Sequence, residues 1–124
     1  MSAPNIVNVA TITAKTATAL LTGTGAVNAV NNPASSGKVM KINSLLISNV
    51  DGTNSATITV AIYPQDDLGG TQVVIASTIA VAADSFVVII DKNMGLYLEE
   101  DRSLGVTASA ANDLTYTVTY EELS

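Results

Sequence analysis

The stretch SNVDGTNSATITV, residues 48–60, combines an acid, a glycine, an amide and several hydroxyls, the side chains from which calcium loops are built. A dedicated calcium loop supplies several carboxylates at alternating positions. Asp51 is the only carboxylate in this stretch. Asp-Gly favours tight chain reversals, because glycine takes positive φ at no steric cost. We therefore interpret residues 51–54 as a hairpin turn between two strands.

Two further acidic groups are candidates for chemistry. Glu99, Glu100 and Asp101 suggest a cation site or a general acid/base pair, but adjacent residues in a strand or turn point in different directions. We therefore expect these three acids to lie in a solvated loop, without partners for their side chains. Asp66 and Asp67 precede Leu-Gly-Gly, which predicts a turn, with weak calcium binding as the alternative.

The lysines and tyrosines raise two other possibilities. Lys38 and Lys41 flank a strand, where a lysine near an asparagine and an acid can form an isopeptide bond; no such triad is visible, so we expect solvated lysines. The tyrosines could stack on a sugar, but two of them share the parity of apolar neighbours, which favours packing. The four are Tyr63, Tyr97, Tyr116 and Tyr120.

Composition excludes several classes of function. The chain of 124 residues has no cysteine and no histidine, which removes disulfides, the usual zinc sites, thiol catalysis and imidazole-based triads. A net charge of −6 with five scattered Lys and Arg argues against nucleic acid. No apolar run reaches the ~20 residues of a membrane helix. We expect no enzyme activity, no catalytic residue, no cofactor and no metal site.

The low charged fraction is the most unusual feature. It is 13%, against roughly 25% in typical soluble domains. A surface of Thr, Ser, Ala and Asn is easily desolvated, which suits a protein packed against copies of itself or partners. The alternative is a neutral β surface without a partner. Composition alone does not separate these interpretations.

Alternating apolar and polar residues predict strands over most of the chain. The clearest runs are 57–63 and 114–121. Single-parity apolar sets occur in residues 73–81, 86–90 and 104–108, with a short strand at 96–98. In KVMKINSLLISNV the phase changes, which predicts a β-bulge near Asn43 and Ser44.

These elements predict an all-β fold: an antiparallel β-sandwich of about eight or nine strands, with jelly-roll or related topology. We expect residues 1–124 to form one domain. The Ala/Thr-rich residues 1–35 are compatible with peripheral strands, a hairpin, a short helix or an N-terminal arm. The start, MSAPNIVNV, lacks the basic and apolar regions of a secretory signal.

From Gly37 onward the chain resembles a small β-sandwich domain of virion structural proteins in tailed bacteriophages, particularly those of marine bacteria and cyanobacteria. The resemblance is carried by two segments, and it departs at Asp101-Arg102, where Gly-Asp is more usual. The segments are SSGKVMKINSLLISNVDGTNSATITVAIY and IAVAADSFVVIIDKNMGLYLEEDRSLGVTASAANDLTYTVTYEEL.

The resemblance implies a non-enzymatic capsid decoration (cement) protein, or a neck, tail or fibre component. A carbohydrate-binding module is a further alternative, against which the absence of Trp argues. We expect the protein in the virion, assembled in the host cytoplasm. Its expected partners are the major capsid protein or other virion proteins and further copies of itself, with a trimer favoured; we expect no nucleic-acid or membrane partner.

Overall fold

A computed structural model describes residues 7–124 of the chain. The expectations that concern residues 1–6, including the absence of a secretory signal and the start of an N-terminal arm, lie outside these residues. Within residues 7–124 the chain forms strands joined by turns, with one 3-10 turn at Lys92–Met94. The strands are β1 Ile12–Leu20, β2 Val27–Asn32, β3 Val39–Asn49, β4 Ala56–Tyr63, β5 Val73–Val81, β6 Phe86–Ile90, β7 Leu96–Leu98, β8 Arg102–Ala108 and β9 Leu114–Leu123.

The strands form two antiparallel sheets. The first sheet has the order β1-β9-β3-β6, with β7 also paired to β3, and the second has the order β2-β8-β4-β5. The chain passes repeatedly from one sheet to the other, which is the strand order of a jelly roll. The predicted all-β sandwich of eight or nine strands is confirmed.

One apolar core lies between the sheets. Alternate residues of β3, β4, β8 and β9 point inward, as a period of two requires. Aliphatic side chains form the centre of this core, because the chain has no Trp and one Phe. Fully buried members are Leu45, Ile47, Ile58, Val60, Val81, Ile90, Leu104, Val106, Leu114 and Val118.

The predicted bulge in β3 is confirmed. Ile42 lies opposite Tyr120 and Ser44 opposite Thr119, so Asn43 is the extra residue in the ladder with β9. The bulge lets Ile42 and Leu45 both face the core despite their odd spacing.

The predicted hairpin at residues 51–54 is wrong. β3 lies in the first sheet and β4 in the second, so the segment between them is an arch that joins the sheets. Both edges of β3 are already occupied, by β9 on one side and by β6 and β7 on the other. Gly52 is not among the residues with positive φ, so the glycine argument for a tight reversal fails as well.

The single-face interpretation of residues 73–81 and 86–90 is also wrong. β5 pairs with β4 through two register shifts, and Ala76 rather than Ser77 lies opposite the buried Val60. β6 has a register shift against β3, so Val88 and Ile90 point to opposite faces. A bulge changes which face the following side chains point to. Residues of one sequence parity therefore need not share a face in these edge strands.

Candidate assembly surface

The Asp51 carboxylate accepts hydrogen bonds from the backbone of the turn that follows it. The Asp51 Oδ1 atom accepts hydrogen bonds from the backbone N–H of Thr53 at 2.7 Å and of Asn54 at 3.1 Å. These two backbone bonds hold the pKa of Asp51 below its ordinary value. The carboxylate therefore stabilises the arch between the sheets through an Asx-type turn.

The fold brings two distant acids to this arch, which the sequence did not suggest. The Asp84 N–H donates to the Asp51 carbonyl at 3.1 Å, and the Val50 N–H donates to the Asp113 carbonyl at 2.8 Å. Desolvation and the neighbouring Asp51 carboxylate raise the pKa of Asp113. In residues 7–124, no three Asp, Glu, His or Cys side chains are arranged to hold a metal ion.

At the other end of the sandwich, acids act as acceptors that join three loops. Asp66 Oδ2 accepts the Ala34 N–H at 3.1 Å, and Asp101 Oδ1 accepts the Asp66 N–H at 3.0 Å. Glu100 Oε2 accepts the Gly37 N–H at 3.1 Å. The prediction that this acidic group lacks partners is wrong for Glu100 and Asp101, because their partners come from loops remote in sequence. Asp101 has φ 58°, in the left-handed region that favours glycine.

Two of the described lysines, Lys15 and Lys38, share one ion-pair partner, Glu122. Glu122 lies between Lys15 Nζ at 3.1 Å and Lys38 Nζ at 3.2 Å. Desolvation opposes ionisation of Glu122, but the two ammonium groups hold its pKa below its ordinary value. Lys41 lies opposite Glu121 in the β3–β9 ladder, and the Asn43 side chain donates to Glu121 Oε1 at 3.1 Å.

The tyrosines do not converge on one surface. Tyr116 belongs to the core and Tyr120 packs against it, as the sequence parity predicts. Tyr63 is buried against the second sheet, where its hydroxyl donates to Gln72 Oε1 at 2.9 Å. Tyr97 is exposed on β7. A stacking platform of these four side chains is therefore not formed.

Neither a ligand cleft nor a membrane helix is seen in the described part of the chain. Residues 7–124 enclose no pocket. None of their helices has the length and hydrophobicity needed to cross a bilayer.

The outer face of the first sheet is free of charge over its larger part. Residues that lie opposite one another in a ladder share a face, so the register of β1, β9, β3 and β6 assigns this surface directly. We call it the uncharged face. Its residues are Thr16, Thr18, Leu20, Ser44, Leu46, Ser48, Phe86, Val88, Thr115, Thr117 and Thr119.

The uncharged face combines hydroxyls with an apolar margin. Phe86 is 63% exposed and Val88 54% exposed; at the β6 edge Val88 lies opposite Leu46 and Phe86 opposite Ser48. Full burial of one such side chain contributes about 1.5–3 kcal/mol. Threonine hydroxyls on the remainder of the face can exchange water for partner groups without the desolvation cost of a charge. This surface is suited to contact with another protein.

Comparison with known proteins gives matches in structure only. No sequence family and no curated protein matches the chain. A chain from the capsid of Ralstonia phage GP4 is 14% identical, with 98% of this chain and 90% of that chain covered at a TM-score of 0.52. A chain from the acid-stable capsid of Helicobacter pylori bacteriophage KHP30 is 10% identical, with 94% and 90% covered and a TM-score of 0.52.

A third structure comes from a different kind of assembly. It belongs to Bacillus endospore appendages, which are disulfide-linked pili, and is 16% identical with 92% of this chain and 88% of that chain covered at a TM-score of 0.52. At these identities the comparisons show the fold. This chain has the jelly-roll sandwich of those proteins along nearly its whole length.

Proposed function

We propose that this chain is a structural protein of a bacteriophage virion and acts there as a capsid decoration protein. The observation that carries the proposal is the uncharged face, a broad sheet surface without Lys, Arg, Asp or Glu on a protein of net charge −6. The role is non-enzymatic, and packing against neighbouring subunits is the function itself.

Three independent lines support the proposal. The sequence from Gly37 onward resembles small virion β-sandwich domains. Two phage capsid chains share the fold over 94% and 98% of this chain. Several charged residues lie in loops or in ion pairs away from the uncharged face, as do Asp51, Asp66 and Glu122.

The mechanism is physical. The uncharged face lies on the shell, and burial of Phe86, Val88 and Leu46 contributes roughly 25 cal/mol per Å² of apolar area before the cost of association is subtracted. Threonine side chains at the centre of the face complete the contact through hydrogen bonds. One subunit that contacts two capsomers in this way resists their separation under internal pressure.

A fibre or tail component of the virion is the second candidate. The endospore pilus chain, whose TM-score of 0.52 equals that of the phage capsid chains, favours it. In a fibre the same face would contact the next copy of the chain, whereas in a shell it contacts the capsid protein. The partner of the uncharged face therefore separates the two roles.

Particles with and without this protein test the proposal. We expect phage heads that lack the chain to rupture at a lower temperature, and to regain the wild-type rupture temperature when purified protein is added back. A Thr117→Lys variant, with a charge at the centre of the face, is the matched negative control for add-back. Equal thermal stability of the two kinds of head would contradict the decoration role.

A further inference from the structure

Within residues 7–124, no strand pairs with the outer edge of β1 in the first sheet. Thr11 and Ser124 exchange two backbone hydrogen bonds at 2.8 and 2.9 Å, and the Leu21 N–H donates to the Leu114 carbonyl at 2.8 Å. Between these points β1 and β9 pair without a register shift. Since antiparallel bonds use every second residue, the backbone groups of the alternate residues point away from β9. These residues are Ile12, Ala14, Thr16, Thr18 and Leu20.

Of the features that normally block strand addition, β1 carries only one, a lysine that is already ion-paired. Proteins protect sheet edges with lysines, prolines, bulges or very short strands. β1 has nine residues and no proline, and its single charge, Lys15, is paired with Glu122. It is exposed along almost its whole length, since only Ala17 is half-buried.

The other edge strands of the described chain are irregular or short. β2 and β5 have register shifts against their neighbours, β6 has five residues and a shift of its own, and β7 has three residues. Among the described strands, β1 therefore offers the one regular open edge. The strand that can extend β1 without distortion is β1 of a second copy. Antiparallel pairing of identical strands is two-fold symmetric, so one edge serves both copies.

The side chains of β1 fit this symmetric arrangement. Maximal overlap places Thr16 opposite Thr16 of the second copy, and Ile12 opposite Leu20 of the second copy at both ends. Ile12 is 60% exposed and Leu20 43% exposed, so the pairing covers the two large apolar side chains of this strand. Lys15 then lies opposite an alanine, Ala17 of the second copy, and no like charges meet.

We propose that two copies of this chain join antiparallel along β1, which makes one continuous ten-stranded sheet from the two five-stranded first sheets. The uncharged faces of both copies then form a single surface of twice the width. This proposed dimer differs from the trimer expected from the sequence, and the oligomeric state measured below decides between them. The inference does not depend on the virion role, because the isolated full-length chain tests it.

A proline substitution distinguishes this edge from the rest of the fold. Thr18→Pro removes an N–H that points away from β9, and edge strands tolerate proline at such positions. We expect the wild-type chain to sediment as a dimer, and Thr18→Pro to weaken dimerisation by roughly tenfold or more through two lost hydrogen bonds per dimer. Thr18→Ala keeps the N–H and is the matched control, with dimerisation close to wild type.

Single cysteines give a readout that does not depend on how well the proline variant folds. The chain has no native cysteine, so Thr16→Cys introduces one thiol at the two-fold axis. We expect mild oxidation to convert it to a disulfide-linked dimer, since opposed residues in such a pair lie about 5.5 Å apart at Cα. Ser77→Cys, on the β5 edge, is expected to remain uncrosslinked.

Three results would overturn the proposal. They are a wild-type chain that is monomeric at all concentrations, a dimer as strong in Thr18→Pro as in wild type, and crosslinking through Ser77→Cys in place of Thr16→Cys. A monomer that joins strands only with another virion protein gives the first of these results. The virion role is tested separately, with phage particles.

Discussion

Lys15 on β1 and Glu122 on β9 form an ion pair with an Nζ–Oε2 distance of 3.1 Å. In the register of β1 and β9, Lys15 shares a face with Ala17 and points away from Thr16 and Thr18. The only charge of β1 is thereby turned off the uncharged face and neutralised. One pair of residues thus leaves both that face and the open edge of β1 without charge.

Glu122→Gln is expected to change the acid stability of the protein. The fold lowers the pKa of Glu122 from its ordinary value of 4.5, so its contribution is present above that value and is lost as pH falls through the lowered pKa. Thermal unfolding should show wild type more stable than Glu122→Gln at neutral pH, with the difference disappearing in acid. Glu99→Gln, in an exposed position, is the control. A difference independent of pH would contradict the assigned ion pairs.

Asp113→Asn is expected to change the thermal stability of the protein in the opposite direction to Glu122→Gln. Desolvation and the charge of Asp51 raise the pKa of Asp113, so its ionisation destabilises the fold at pH values above the raised pKa. The asparagine variant keeps a side chain that can donate to Asp51 and removes the repulsion. We expect a higher melting temperature than wild type at neutral pH and no gain in acid. A lower melting temperature at neutral pH would show that the two acids do not repel.

Gly105→Ala tests the packing of the loop over the second sheet. A Cβ atom at this position would lie 2.7 Å from the Tyr63 ring and 2.9 Å from the Leu68 side chain. Because both neighbours are packed, we expect a loss of about 1–3 kcal/mol in the free energy of unfolding, measured by urea denaturation. Gly25→Ala, where a Cβ meets nothing within 4 Å, is the control and should cost little. Equal effects of both variants would contradict this packing.

Thr117→Lys tests the uncharged face directly. Thr117 lies between Thr18 and Leu46 at the centre of the face, so a charge there must be desolvated in any contact. We expect binding to phage heads to weaken on the order of tenfold or more, with circular dichroism unchanged. Thr107→Lys, a half-buried threonine on the outer face of the second sheet, is the matched control. Equal binding by both variants would mean that another surface makes the contact.

The elements that sequence reasoning identified are those with one buried face. β4 and β9 alternate clearly because Ile58, Val60, Leu114 and Val118 all point into the core. The bulge at Asn43 was predictable because the buried residues on either side of it keep opposite phases. β1 gave no such signal, since nearly all of its residues are exposed on both faces.

The errors of sequence reasoning arose from tertiary partners. Local turn chemistry at Asp51 predicts a reversal, but a reversal within a sheet and an arch between sheets begin with the same residues. Glu100 and Asp101 find their backbone donors in the loops that contain Gly37 and Asp66. The uncharged face is likewise a property of strand order, because β1, β9, β3 and β6 are distant in sequence.

The copy number of this chain per virion tests the central claim most directly. Quantitative mass spectrometry of purified particles would measure the chain against the major capsid protein. A decoration protein predicts a ratio comparable to that of the capsid protein. A ratio smaller by roughly one or two orders of magnitude, as a closed ring or a fibre at one vertex requires, would contradict decoration. Absence of the chain from particles would contradict the virion role as a whole.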